Sequence, residues 1–541
     1  MAPWGLGLGR DLLGGQAAVI STLKRLGGWD PFLNTARFLG VSRWGPGIGA
    51  MVAASAARYP TRIAISDDDT TVDYCTLDRQ ATNLAAQLRR LAGSSSRPTS
   101  SGSVGILCRN HRFFVIAQVA AERAGIDVVL MSPALPAPKL YDVLEREQVA
   151  VLIADEEFTA TIDESGADVI NISADGEGPR SLSQLVAKPG FCPPPARRAR
   201  LVLLTSGTTG PPKGARRANR APSLSDLGLF TNIPYQIGET YLVCPPLFHA
   251  WGLSQATTAL ATGSSVILRR KFDAGEVLSL LETTQIDVLA VVPLMMRRIL
   301  RELDPENSPH HPRIVASSGN VLPGHLALAW MDTFGDHLYN VYGSTEAALG
   351  TIADPAALRE APGTVGRPPP GVTLSILDDK SMPLPAGEAG RVFVSSSMQF
   401  SGYSDGSDAD RSGTLVATGD LGCLDDVGRL HIDGRANDMI ITGGENVFPS
   451  RVEEVLDQYP GVELSAVVGV PDDEYGQRIV ALVVPRPGWD LDVGKLLEAA
   501  ASEMQSFMVP REVHLVDALP MTTTGKVIRH RLAVLGQAKH T

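Results

Sequence analysis

Apolar residues fall into short unbroken runs separated by longer amphipathic stretches. VGILC (Val104–Cys108) precedes a helix-like run from Phe113 to Ala124, and IDVVLM (Ile126–Met131) follows. Unbroken apolar runs of this length mark strands covered on both faces, and their alternation with helices predicts parallel pairing. From about residue 50 the chain therefore reads as layered α/β. Around Ile376 to Val394 the pattern turns strand-rich, which predicts a small β unit. After DGRANDMI it starts afresh, with a helix at Ser450–Gln458, strands at Ser465–Val470 and Ile479–Val484, and a helix at Val493–Met504. Loops are marked by Gly93–Ser103, Lys188–Pro195, Asp304–Pro312 and Ser404–Gly413. The expected organisation is an N-terminal extension (1–48), a large α/β domain with its β unit (49–436) and a smaller, mobile α+β domain (437–541).

The extension places Leu12, Val19, Leu23 and Leu26 near one helical face, with Lys24 and Arg25 beside them. A helix packed on the main body is the first reading of it. Contact with a membrane surface or an acyl-rich partner is the second. Of the 541 residues 44% are hydrophobic and 20% charged, which describes a globular chain. A net charge of −11 argues against a nucleic-acid partner, which needs a basic face. The cysteines, Cys75, Cys108, Cys192, Cys244 and Cys423, are scattered and show no C-x-x-C spacing. That pattern fits a reducing cytoplasm without a zinc site or disulfide frame. No apolar run has the length of a membrane span, and the first residues lack the basic start of a secretory signal.

The run LVLL (Leu201–Leu204) opens into TSGTTGPPKGA (Thr205–Ala215). Glycines let successive N–H groups turn inward to hold an anion, hydroxyls add donors, and Lys213 adds charge. The Walker pattern does not fit, because Pro212 stands where it needs glycine and Gly214 where it needs Ser or Thr. The stretch predicts a different polyphosphate loop. Arg197, Arg198 and Arg200 on one side, and Arg216, Arg217 and Arg220 on the other, flank it. Such clusters are more often a solvated face than a ligand-gathering one.

Four further segments accompany the loop: VYGSTEAALG (Val341–Gly350), VATGDLG (Val416–Gly422), DGRANDMIITGGENVFPSRVEE (Asp433–Glu454) and MTTTGKVIRHRL (Met521–Leu532). In this order the five motifs resemble the adenylate-forming superfamily of acyl-CoA synthetases, peptide-synthetase adenylation domains and luciferases. The resemblance implies ATP, Mg²⁺ and CoA as reactants, with Thr205, Ser206, Gly207, Thr208, Thr209, Gly210 and Lys213 around the β- and γ-phosphates. It implies Tyr342 on adenine, Thr345 on a phosphate oxygen and Glu346 on Mg²⁺, with Asn340, Gly343 and Ser344 alongside. Asp420 and Arg435 fall to the ribose, and Lys526 to the catalytic lysine that neutralises charge at the α-phosphate. Gly443 and Gly444 would line a thiol channel once the small domain has turned about Asn437. PPLFHAWGL (Pro245–Leu253) places His249 beside the acyl site, with Trp251, Ser254, Gln255, Gly319 and Asn320 as pocket neighbours.

The implied reaction joins a carboxylate to AMP and then to a thiol. Amino-acid-activating relatives place an acid near the histidine segment, and Leu247–Leu253 has none, which favours an apolar acid. A medium- or long-chain fatty acid is the first expectation, and aryl or sterol-type acids stay open. The acceptor is expected to be CoA. A carrier protein, or a catalytically silent binding protein of the same fold, are the rivals. The chain departs from the family in lacking a P-E-x-T element and the Trp before Thr418, and in carrying ARRANR after Gly214.

Overall fold

A computed structural model describes residues 20–22, 24–28, 30–94, 102–205, 213–218, 227–304, 309–522, 525–529 and 531–532. Of the expected extension helix, Leu12, Val19 and Leu23 lie outside the described residues, while Leu26 is buried.

The apolar runs become two facing sheets. Among the described residues one sheet has six strands, in the order Ile170–Ser173, Val149–Ala154, Ser103–Leu107, Asp127–Leu130, Arg200–Thr205, Lys213–Ala218. Its pairs are parallel except the last, which is antiparallel. The other has eight, in the order Ala348–Ala353, Leu338–Ser344, Ile314–Ser317, Val288–Val291, Thr240–Val243, Ser265–Leu268, Ile63–Ser66, Thr71–Asp73. Only its two edge pairs are antiparallel. Strand residues alternate between two cores, as a period of two requires. Val128 and Leu130 join the central core between the sheets, and Val129 joins the outer core over Leu140 and Leu144. The helices Tyr74–Ser94, Arg112–Ala124 and Ala250–Ala261 fill the central layer.

The strand-rich region is an antiparallel unit in which Thr373–Leu377 pairs Gly390–Ser395, which pairs Leu415–Leu424. Leu415–Leu424 in turn pairs Leu430–Arg435, the strand that leads into the expected hinge. Asn437 stands in the 3-10 turn Ala436–Asp438. Beyond it, Val462–Asp472, Gly476–Pro485 and Glu512–Leu515 form a three-stranded sheet with apolar clusters on both faces. One helix of the large domain, Pro293–Glu302, meets this small domain. Met295, Met296 and Ile299 anchor its inner side. From the other side Arg297 reaches Asp457 at 2.8 Å and the Glu463 carbonyl at 2.8 Å, and Arg301 pairs with Glu463.

Arg123 fastens the N-terminal helices to this body. It has no solvent exposure and donates to Asp78 (2.6 Å), Thr82 (2.8 Å) and the Gly49 carbonyl (2.8 Å), with the Trp44 ring 5.0 Å away. Arg123→Met should destabilise the large domain by about 3 kcal/mol, because it leaves Asp78 and two acceptors without their donor. Urea unfolding of the full chain measures this, and an unchanged midpoint would deny the residue that role.

Candidate active site

The site is assembled where the C-terminal ends of the strands meet the β unit and the small domain. Strand Leu338–Ser344 turns sharply into Ala348–Ala353 through Thr345 and Glu346. The Ser344 hydroxyl accepts from the Ala347 N–H at 2.9 Å. A side chain at Gly343 would put its Cβ 1.8 Å from the Ala348 carbonyl oxygen, so the turn requires glycine. Tyr342 donates to Asp420 Oδ2 at 2.6 Å, and burial followed by that carboxylate pushes its phenol far above the ordinary range. The other oxygen of Asp420 meets Arg435 Nε at 2.9 Å, and Arg435 also donates to the Thr418 carbonyl at 2.9 Å. Strand end, β unit and hinge strand therefore converge on one carboxylate.

Glu346 Oε1 accepts from the Tyr403 hydroxyl at 2.8 Å. Its carboxylate offers the hard oxygen that Mg²⁺ prefers to share with phosphates. Behind it, Arg217 donates to the Thr345 carbonyl at 3.0 Å. Burial lowers the Arg217 pKa, and Glu346 works against that shift. Arg217 is thus a half-buried cation behind the Glu346 turn and not part of a fully solvated face. The sequence shows Arg217 only as one member of the basic cluster Arg216, Arg217 and Arg220, which reads as a solvated face by default. Tyr403 gave no comparable signal.

Thr205 ends its strand opposite Lys213, and Ser206, Gly207, Thr208, Thr209 and Gly210 lie outside the described residues. Lys213 Nζ stands 3.1 Å from Ser407 Oγ and 3.6 Å from Asp405, over the Tyr403 ring.

The second Thr/Gly turn docks against this site from the small domain. Asn320 donates to the Gly525 carbonyl at 3.4 Å, and Leu294 crowds Gly525, whose φ is +76°. The turn closes through Thr522 N–H to the Lys526 carbonyl at 2.7 Å and Lys526 N–H to Thr522 Oγ1 at 3.0 Å. Burial and then Arg435 lower the Lys526 pKa, while Asp420, Glu346 and Asp438 raise it. The ammonium therefore shares one electrostatic environment with the nucleotide-site carboxylates. Gly319, with φ +89°, precedes Asn320 and faces Val292. Asn340 is buried with its amide toward the Thr364 carbonyl at 3.4 Å.

His249 caps the helix Ala250–Ala261 and packs on Phe248, ring centroids 4.3 Å apart. The segment before it is held by Asn110, a residue the sequence reading did not single out. Asn110 is buried, donates to the Pro245 carbonyl at 3.1 Å and accepts from the Leu247 N–H at 2.8 Å. Trp251 spends its indole N–H on the Val291 carbonyl, and Ser254 bonds within its own helix. Gln255 is fully buried. Its Oε1 accepts from Tyr235, while its Nε2 has no hydrogen-bond partner among the described residues. Gly443 and Gly444 form the turn between Ile440–Thr442 and Glu445–Val447. Gly443 N–H bonds the Tyr475 carbonyl within the small domain, and a Cβ at Gly444 would meet nothing within 4 Å. In this arrangement Lys526 comes to Asp420 and Glu346, whereas the described contacts of the Gly443–Gly444 turn stay in its own domain.

The fold thus brings together, from two domains, a carboxylate held by a tyrosine and an arginine, a glutamate whose hard oxygens suit Mg²⁺, and a lysine on a turn of the small domain. Residues 52–404 match the family described as AMP-binding enzyme, and residues 451–526 match the AMP-binding enzyme C-terminal domain. The chain belongs to that family. It is 31% identical over 494 residues to a feruloyl-CoA synthase of an Amycolatopsis species, covering 89% of this chain and 98% of the relative. It is 29% identical to an indoleacetate–CoA ligase of Aromatoleum aromaticum over 85% of this chain and 93% of that one. The ATP-bound structure of MatB from Rhodopseudomonas palustris superposes with a TM-score of 0.79 at 26% identity, covering 91% of this chain and 100% of that one.

Burial, and then the nearby Lys526, bring the His249 pKa down from 6.5 to about 4. The imidazole is therefore neutral in the folded protein at neutral pH, while the unfolded chain takes up its proton first as pH falls. Its contribution to stability is complete above about pH 6.5 and is lost as pH falls toward 4. In His249→Asn the drop in unfolding free energy across that window should shrink by about 3 kcal/mol. Denaturant midpoints at the two ends of the window check this, and an undiminished drop would place the titration elsewhere.

Proposed function

We propose that the protein is an acid–CoA ligase working through an acyl-AMP, and the observation that carries this is Lys526 docked among Arg435, Asp420 and Glu346. A carboxylate attacking the α-phosphorus of ATP brings two anions together, so a cation has to be in place beforehand. Lys526 supplies it from the small domain. Asp420, fixed by Tyr342 and Arg435, accepts the ribose hydroxyls. Glu346 would hold Mg²⁺, which when bound would supply positive charge to the phosphates. Thr205, the loop after it and Lys213 take the outer phosphates. The neutral His249 borders the reacting carboxylate without adding a charge to the acyl side. Turning of the small domain about Asn437 then withdraws Lys526 and brings Gly443 and Gly444 to the thiol path.

The acid is apolar, since no charged residue occupies Leu247–Leu253. A medium- or long-chain fatty acid satisfies this. A second reading, an aryl acid, is favoured by the two relatives whose names carry aromatic acids and by the buried Gln255 amide, which could meet an oxygen on a ring. A panel of alkanoic acids and hydroxylated or methoxylated arylpropenoic acids, scored by pyrophosphate release, separates the two. Gln255→Leu should lower kcat/KM about tenfold or more for oxygenated aryl acids if the second reading holds, and leave alkanoic acids nearly untouched if the first does.

Lys526→Ala should reduce carboxylate-dependent pyrophosphate release about a hundredfold or more, while pre-made acyl-AMP is still converted to the CoA thioester. Equal loss in both half-reactions would defeat the two-position scheme. Thioester formation on a carrier protein but not on CoA would replace the acceptor.

A further inference from the structure

The helix Pro31–Trp44 lies ahead of the family match, which begins at residue 52. It is firmly built. Asp30 accepts from the N–H groups of Phe32 and Leu33, Pro31 occupies the first turn, and Gly45 ends the helix at φ +84°. Leu33 and Trp44 are buried, and Gly40 runs so close to the next helix that a Cβ there would stand 2.7 Å from the Ala50 carbonyl oxygen. One side is therefore committed to the body, and the helix is fixed in place.

Its other side presents large apolar groups to solvent. Phe32 is 76%, Phe38 72% and Leu39 59% exposed, with Val41 beside them. The chain has 14 phenylalanines, and Phe32, Phe38 and Phe191 are the three that are exposed. Phe191, 77% exposed, borders the same surface, since Arg43 at the end of the helix donates to the Cys192 carbonyl at 3.5 Å. Arg198 reaches it too, with its Cγ 3.8 Å from where a Gly45 Cβ would stand. Burying three phenylalanines from water is strongly favourable, so leaving them exposed on a rigid helix needs an occupant.

Charge decides which occupant. From Ile20 to Arg58 the basic residues are Lys24, Arg25, Arg37, Arg43 and Arg58 and the one acidic residue is Asp30, in a chain whose net charge is −11. Arg58 pairs with Asp30, and Arg25 and Arg37 donate to the Phe230 and Leu26 carbonyls, which leaves Lys24 and Arg43 as the exposed cations of the segment outside these contacts. Exposed Lys188 and Arg198 extend the basic rim around Phe191. A second copy would bring the same positive rim against itself. An anionic lipid surface complements both the cations and the aromatic groups, which sit well at the headgroup boundary. We infer that this face docks the protein on anionic membranes. The docking would operate whichever acid the site takes, so its test does not depend on the reading of the substrate.

The full chain should sediment with vesicles of phosphatidylcholine mixed with phosphatidylglycerol, and much less with phosphatidylcholine alone. High salt should weaken the binding, since the cations act through solvent. F32S/F38S/L39S should reduce partitioning about tenfold or more. R43E/R198E, which leaves the apolar face intact, should remove the preference for anionic lipid. Thermal melting confirms that both variants remain folded, and if the serine variant does not, the charge-reversal variant decides alone. Absence of sedimentation with anionic vesicles, or sedimentation unaltered in the folded variants, overturns the inference. So does a native dimer that becomes a monomer in the serine variant, because the occupant is then a second copy.

Discussion

The carboxylate of Asp420 is the joint on which the site depends. It takes Tyr342 from the end of a parallel sheet and Arg435 from the strand that enters the hinge turn. Tyr342 belongs to the eight-stranded sheet, whereas Arg435 lies opposite Asp420 on the neighbouring strand of the β unit, so the carboxylate ties the sheet to the β unit at the strand that enters the hinge turn. Removing it would leave a buried tyrosine hydroxyl and an arginine without their acceptor, a cost that falls on unpaired polar groups in dense surroundings. The same pairing keeps both oxygens oriented, which on the proposed chemistry offers the ribose a preformed acceptor.

Around this joint the site is layered by charge. Glu346 stands between Tyr403 on one side and the Arg217 neighbourhood on the other. Lys526 enters from the small domain, and His249 remains neutral on the acyl side because burial disfavours its proton. Cations and carboxylates thus gather around Asp420 and Glu346, the nucleotide side in the proposed function, and the His249 side stays uncharged. This division suits a reaction that builds negative charge at phosphorus while holding an apolar acid.

Much of this was legible because it depends on local chemistry. The runs Val104–Cys108 and Ile126–Met131 mark strands covered on both faces, and they pair in parallel as Ser103–Leu107 and Asp127–Leu130. The small domain's helix and strands, expected at Ser450–Gln458, Ser465–Val470 and Ile479–Val484, appear as Pro449–Leu456, Val462–Asp472 and Gly476–Pro485. The strands proved longer because their antiparallel ladder continues past the apolar core into polar ends. What the sequence did not reveal depends on distance along the chain. Asn110 supports the His249 segment from more than a hundred residues away, and an isolated asparagine carries no periodicity that announces such a partner. Arg217 looked like part of a basic face because charge runs usually are solvated, and only the packing of the Thr345 carbonyl against it says otherwise. The apolar pattern of the extension points to Leu12, Val19, Leu23 and Leu26, of which Leu26 is buried and the other three lie outside the described residues. The exposed aromatic residues of the following helix, Pro31–Trp44, do not repeat with a core-facing period and so gave no such signal.

The docked position of Lys526 is held by opposing forces. Burial and Arg435 disfavour its charge, while Asp420 and Glu346 favour it. Those carboxylates already have other donors: Asp420 serves Tyr342 and Arg435, and Glu346 serves Tyr403. Their attraction for the lysine is therefore shared. Arg297 and Arg301 of one helix add ion pairs to the domain contact, beside the Asn320–Gly525 hydrogen bond, and ion pairs that keep solvent contact stabilise an arrangement only weakly. On the chemistry proposed above, anionic charge at the α-phosphate and carboxylate favours the docked lysine during adenylation. Departure of pyrophosphate removes part of that charge, and with it part of what favours the docked lysine.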